Sequence, residues 1–219
     1  MGDGDQAKGS GRGQKQIPTP EHTLHQLSPL IAIVYALLEE GVADAYEYFQ
    51  QRKWPINRPA FAMMVRLSVF QQLEAKTAAA NLKCSVIRKA NVGVGIRVPG
   101  STINMWKADK DGQLPPCGES RTRQGFYRQW RLPEIYGGDG LPPKLALLWE
   151  SNGGPLTLKL VAPRGFNSLW SPGIAHWEID VPHPAKAVTL TTDLTSDAEE
   201  LDDILKHKKT ADEPNDTES

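Results

Sequence analysis

The segment from Arg121 to Arg131 contains the residue types that bind phosphates and nucleobases. Four arginines alternate there with three aromatic residues. Guanidinium groups pair with phosphates and stack on bases, and aromatic rings accept stacked bases. We therefore expect contacts with nucleic acid, or with an acidic protein partner, from Arg121, Arg123, Tyr127, Arg128 and Arg131. An amphipathic helix that buries Phe126 and Trp130 would show the same pattern.

A second group of reactive residue types lies near His176. In a β-strand, His176, Glu178 and Asp180 point to one face, because side chains alternate between the two faces of a strand. An imidazole and two carboxylates together can serve as general acid and base. These three residues are the candidate catalytic site of an alternative hydrolase or nuclease-like function. The alternation is equally typical of any half-exposed strand.

The motifs of the well-known enzyme classes are absent from the sequence. It has no G-x-S-x-G, no H-E-x-x-H and no G-x-x-x-x-G-K-[ST]. A nuclease metal site would need an acid two residues before Lys159, on the strand after Glu150, and that position is Thr157. Cys84 and Cys117 are too few for a cysteine-rich zinc site. We therefore predict no cofactor and no metal, and favour a binding protein over an enzyme.

The net charge of −1 conceals two oppositely charged regions. Between Lys83 and Arg131 there are ten basic and three acidic residues, whereas between Asp193 and Ser219 there are ten acidic residues and three lysines. A clustered basic region attracts polyanions far more strongly than dispersed charges do. The segregation therefore favours a polyanionic partner for the middle of the chain.

Two helices are expected in the first third of the chain. Ser28 and Pro29 are a typical N-cap and first helical residue, and apolar residues then recur at helical spacing as far as Arg52. A turn with two prolines leads to a second apolar stripe from Met63 to Leu73. The two helices with the following Lys83–Arg97 region also match a winged-helix DNA reader, with Arg58 and Arg66 on its recognition helix. The mostly apolar second helix favours instead a packed layer covering a sheet.

The chain after Asn81 is typical of β-structure. Three short runs between Cys84 and Trp106 are rich in β-branched residues, and Lys144–Glu150 is joined to Leu156–Ala162 by Asn-Gly-Gly, a hairpin signal. Ala175–Val181 predicts a further strand. The fold class is therefore α+β, with an N-terminal helical hairpin or three-helix layer packed on a mostly antiparallel sheet.

Three regions of the chain are predicted. Residues 1–26 have the composition of a disordered tail, residues 27–190 form one α+β domain, and residues 191–219 form an acidic, largely disordered tail. Because no secretory signal and no membrane-spanning stretch is recognised, we expect a cytoplasmic protein. The favoured function is a non-enzymatic binding or regulatory protein. The alternatives are the enzyme around His176 and a protein-interaction scaffold.

Overall fold

The computed structural model describes residues 18–89, 93–128, 141–151 and 154–185. The chain divides into two compact units, residues 1–180 and 181–219. In the second unit the backbone N–H of Ala185 donates to Nδ1 of His183 at 3.1 Å. The predicted acidic tail, residues 191–219, and the first 17 residues of the predicted N-terminal tail lie outside the described residues.

Helix α1 (Pro20–Gln51) begins earlier than the sequence predicts. Its N-cap is Thr19, whose side chain accepts a hydrogen bond from the His22 N–H, and Pro20 takes the first helical position. Helix α1 thus begins inside the predicted N-terminal tail of residues 1–26, because Thr19-Pro20 is the same start signal as Ser28-Pro29. Pro29 lies inside the helix, where it cannot donate to the His25 carbonyl; the Ser28 hydroxyl donates to that oxygen instead, at 2.9 Å.

Helix α2 (Arg58–Ala79) is capped by Asn57 and packs against α1. Gly41 marks a close approach, since a Cβ there would lie 3.2 Å from the Val65 carbonyl oxygen of α2. Glycine therefore brings the two helices together and does not divide α1. Helix α1 is long enough to cross a membrane, and one stretch of it is apolar enough, with a mean hydropathy of 1.3. Half of that stretch is buried within the fold, as in a core helix.

Six strands form one sheet. They are β1 (Ser85–Lys89), β2 (Gly93–Val98), β3 (Ser101–Lys107), β4 (Lys144–Glu150), β5 (Thr157–Phe166) and β6 (Gly173–Val181), in the spatial order β1-β2-β3-β4-β5-β6. The pairs β1/β2, β2/β3 and β4/β5 are antiparallel. Strands β3 and β4 are parallel, and α3 (Arg121–Tyr127) lies between them in the sequence. The predicted helical layer on a mostly antiparallel sheet is confirmed.

The sheet is covered on both faces. On one face, buried side chains of neighbouring strands lie directly opposite one another, as Ile96, Ile103 and Leu145 do on β2, β3 and β4. The helices pack over this face. The Tyr35 hydroxyl of α1 fixes this layer by donating to the Leu156 carbonyl at 2.8 Å. On the opposite face, residues 114–127 pack a second core against the sheet: Leu114, Cys117, Phe126, Tyr127, Ala146, Leu148 and Val161. Segment 114–127 thus places α3 over the face away from the helical layer.

The packing of α2 predicts that two leucines of this helix contribute different amounts to the free energy of unfolding. Leu73 is fully buried, so Leu73→Ala should lower the free energy of unfolding by about 2 to 5 kcal/mol, because it removes contacts and leaves a cavity. Leu67 is 38% exposed, so Leu67→Ala should cost less than about 1 kcal/mol. Urea denaturation of both variants measures the difference. Equal costs would contradict this packing of α2.

Candidate anion-binding site

Lys89, at the end of β1, lies across the face of the sheet that α3 covers. Its Nζ donates to Oδ1 of Asn104, a buried residue of β3. The lysine passes over Gly95 of β2, where a Cβ would lie only 2.7 Å from the Lys89 Cε. Glycine at this position therefore lets a long cationic side chain cross β2 and reach Asn104.

Lys144, at the start of β4, lies near the same aromatic ring as Lys89, that of Phe126. The Nζ atoms of Lys89 and Lys144 are 6.0 and 5.9 Å from the centre of Phe126, within the range of a cation–π interaction. Lys144 Nζ also donates to the Gly125 carbonyl at 2.9 Å. Burial, followed by the charge of Lys144, lowers the pKa of Lys89, and burial lowers the pKa of Lys144. The two ammonium groups therefore repel each other in a partly desolvated place.

Two arginines extend this arrangement along α3 and α2. The Arg123 guanidinium lies 5.4 Å from the centre of Trp106, and its Nη1 donates to the Pro116 carbonyl at 2.9 Å. Half-buried Arg66 donates through Nε to the Ala62 carbonyl at 3.0 Å. Burial lowers the pKa of Arg66, and the charge of Arg123 lowers it further. The charge of Arg123 therefore disfavours that of Arg66, as the charge of Lys144 disfavours that of Lys89.

We call these four side chains, Arg66, Lys89, Arg123 and Lys144, the basic cluster. Each donates a hydrogen bond to an oxygen atom of the protein, and three of them lie over an aromatic ring. Neighbouring cations that lose part of their hydration gain strongly from an anion placed between them. The arrangement is therefore suited to bind phosphate groups.

The predicted binding residues of α3 fall into three groups. Arg121 and Arg128 are exposed, with Arg128 4.9 Å from the centre of Phe166, and Arg123 belongs to the basic cluster. Tyr127 is fully buried and its hydroxyl donates to the Pro115 carbonyl at 2.6 Å. Burial raises the pKa of Tyr127 far above its usual value. The ring presents no face to solvent, so the proposal below does not use the predicted contact by Tyr127. Arg131 lies outside the described residues.

His176, Glu178 and Asp180 are all exposed and alternate along β6 with half-buried neighbours. Glu178 Oε1 accepts a hydrogen bond from Lys159 Nζ at 3.1 Å, in an exposed ion pair. Thr157, and not Lys159, is the partner of Glu150 across the β4/β5 pair. In the part of the chain that the structure describes, no three His, Cys, Asp or Glu side chains converge as metal ligands.

A cavity of about 350 Å³ lies at the carboxyl ends of the parallel strands β3 and β4. Its charged lining is mixed: Arg58, Lys107, Asp109, Lys110 and Glu150. Burial, then the charge of Arg58, lowers the pKa of Lys107, and Glu150 acts in the opposite direction. Carboxylates within the lining make this cavity less suited to a polyanion than the basic cluster.

Lys89, Asn104 and Lys144 were not recognised as site residues from the sequence. The signal that identifies them is a glycine inside a strand, since Gly95 is a sign of close approach by another group. Asn104, between Ile103 and Met105, is a second sign, because a polar residue inside an apolar strand needs a hydrogen-bond partner. Neither signal identifies the cation that approaches Gly95 and Asn104, because the register of the strands determines which side chain lies there.

The passage of Lys89 over Gly95 can be tested by a double-mutant cycle. Gly95→Ala should lower the free energy of unfolding by about 1 to 3 kcal/mol, because the new Cβ displaces Lys89 and leaves Asn104 Oδ1 buried without it. In a Lys89→Ala background the same substitution should cost less than about 0.5 kcal/mol. Urea denaturation of the four proteins gives the coupling energy. The same cost in both backgrounds would show that Lys89 does not cross Gly95.

Comparison with known proteins assigns no family to this arrangement. No family model, no curated protein and no solved structure matches the chain. The functional conclusion therefore depends on the chemistry of the described residues.

Proposed function

We propose that this protein binds nucleic acid through the basic cluster and the exposed arginines of α3, without catalysing a reaction on it. The observation that carries the proposal is the convergence of Lys89, Arg123 and Lys144 on the adjoining rings of Phe126 and Trp106, whose centres are 5.0 Å apart. Phosphodiesters supply closely spaced negative charges that match such an arrangement. Arg121 and Arg128, exposed on the same short helix, extend the positive surface.

The hydrogen bonds of the cluster explain why it favours binding. Backbone carbonyls hold Arg66, Arg123 and Lys144, and Asn104 holds Lys89, so the cations are oriented before a ligand arrives. Orientation in advance lowers the entropy lost on binding. A guanidinium has five N–H donors and an ammonium has three. The carbonyls and Asn104 therefore accept only some of the hydrogen bonds that the four cations can donate, and the other donors can bind a ligand.

The two alternative functions use other parts of the structure. The enzyme alternative depends on His176, Glu178 and Asp180, of which Glu178 is engaged by Lys159. The scaffold alternative would use the exposed apolar side chains at the start of α2 and before it: Trp54, Ile56, Met63 and Leu67. No observation on either region points to a particular substrate or partner, whereas the charge of the cluster points to a polyanion.

Neutralising the cluster should weaken nucleic-acid binding. We expect the Lys89→Gln/Arg123→Gln/Lys144→Gln variant to lose at least about tenfold in affinity at moderate salt and to show a salt slope smaller by about 2 to 3. Fluorescence anisotropy with labelled oligonucleotides across a salt series measures both quantities.

The matched control removes three exposed lysines outside the cluster, in Lys53→Gln/Lys76→Gln/Lys83→Gln. Each variant loses three positive charges, so an effect of net charge alone would weaken nucleic-acid binding equally in the two variants. We expect the control to retain affinity within about threefold. Equal losses in the two folded variants, or no binding by the wild-type protein at low salt, would overturn the proposal.

Raising the pH should weaken binding while the fold remains stable. The lowered pKa values of Lys89 and Lys144 mean that these groups lose charge at a lower pH than ordinary lysines, so affinity should begin to fall before the pH reaches the ordinary lysine pKa of about 10.4. Lysines whose pKa is lower in the folded state make the fold more stable as pH rises toward the unfolded pKa. Anisotropy and thermal unfolding in the same buffers should therefore move in opposite directions.

The Lys89→Arg/Lys144→Arg variant controls for this effect, because guanidinium groups remain charged throughout this range. Its affinity should depend less on pH than that of the wild-type protein. An equal fall in both proteins would mean that the titrating groups lie elsewhere.

A further inference from the structure

Trp170 is the most exposed of the large apolar side chains in the described part of the chain, with 71% of its surface accessible. It lies in the connection between β5 and β6. A tryptophan carries a large apolar surface, so holding it in water is unfavourable unless something covers it. Its position next to α3 indicates which kind of molecule covers it.

Hydrogen bonds hold the connection around Trp170 in place. The Ser168 N–H donates to Ser171 Oγ at 3.0 Å, and the Ser171 N–H donates to Ser168 Oγ at 3.1 Å. The Leu169 carbonyl accepts from the Gly118 N–H at 2.7 Å, and Leu169 packs on the second core. The indole is thus presented to solvent by a fixed turn.

The indole lies beside the segment that carries the cluster arginine. Trp170 Cζ3 is 3.8 Å from the position that a Cβ on Gly118 would occupy. Gly118 accepts a hydrogen bond from Gln124, and Ser120 caps the helix whose first turn holds Arg121 and Arg123. An exposed aromatic face therefore adjoins cations that can bind phosphates.

We infer that Trp170 stacks on an unpaired base, so that the ligand of the basic cluster is a single-stranded nucleic acid. The inference rests on the proposed function and specifies its ligand. In a duplex the bases already stack on one another, whereas an unpaired strand offers both a free base face and the phosphate of the same nucleotide. The adjacent indole and arginines match these two groups.

The test compares Trp170→Ala with Trp54→Ala. Trp54 is a matched control because it is also exposed, at 56%, but lies before α2 next to Tyr48 and Arg52. We expect Trp170→Ala to weaken binding of 20-residue oligo(dT) and oligo(U) by about tenfold and to change duplex binding by less than about twofold. Trp54→Ala should change neither, and Trp170→Phe should recover part of the loss.

The outcomes separate the two proposals. Unchanged single-strand affinity in folded Trp170→Ala, with binding still lost in the cluster variant, would overturn the stacking role and leave the proposed function standing. Equal losses for single strands and duplex would also overturn it, since stacking cannot act on paired bases. No binding of either nucleic acid by the wild-type protein would overturn both proposals.

Discussion

The central strands β3 and β4 carry buried side chains on both faces, so each face of the sheet must be covered. The helices α1 and α2 cover one face. Segment 114–127, which lies between β3 and β4 in the sequence, covers the other. Burial therefore decides where α3 lies. The arginines of α3 are brought to Lys89 and Lys144 because Phe126 and Tyr127 must enter the second core.

Four cations at the margin of this core are unfavourable in the unliganded protein. Burial and neighbouring charges lower the pKa values of Arg66 and Lys89, which shows that the folded state disfavours their charged forms. Hydrogen bonds to carbonyl oxygens and contacts with Phe126 and Trp106 offset part of this cost. A bound polyanion would offset more of it. Groups that are costly for stability and useful for binding are typical of functional sites.

Most of the fold is predictable from the sequence because its elements have clear local signals. The Asn-Gly-Gly turn specifies the β4/β5 hairpin, and the apolar stripes specify α1 and α2. The sequence signal at Ser28-Pro29 puts the start of α1 nine residues too late, because a serine hydroxyl can replace the hydrogen bond that Pro29 lacks. The parallel pairing of β3 and β4 has no local signal, since it follows from burial on both faces.

The candidate site was only partly predictable, because much of it also lacks a local sequence signal. The arginine and aromatic composition of α3 identified Arg123, but it also identified Tyr127, and composition does not show which side of a short helix faces the core. Arg66 was noticed only as a residue of a possible DNA-reading helix. Lys89, Asn104 and Lys144 come from three different strands, and their meeting depends on strand register and on the space left by Gly95.

The central claim is that mutually repelling cations of the cluster are relieved by a bound polyanion. Titration of Lys89 and Lys144 by NMR, in protein labelled with ¹³C at lysine Cε, measures this directly. We expect both pKa values to lie below that of an ordinary lysine in the free protein and to rise when a single-stranded oligonucleotide is added. Ordinary pKa values that do not change on addition of the oligonucleotide would contradict it.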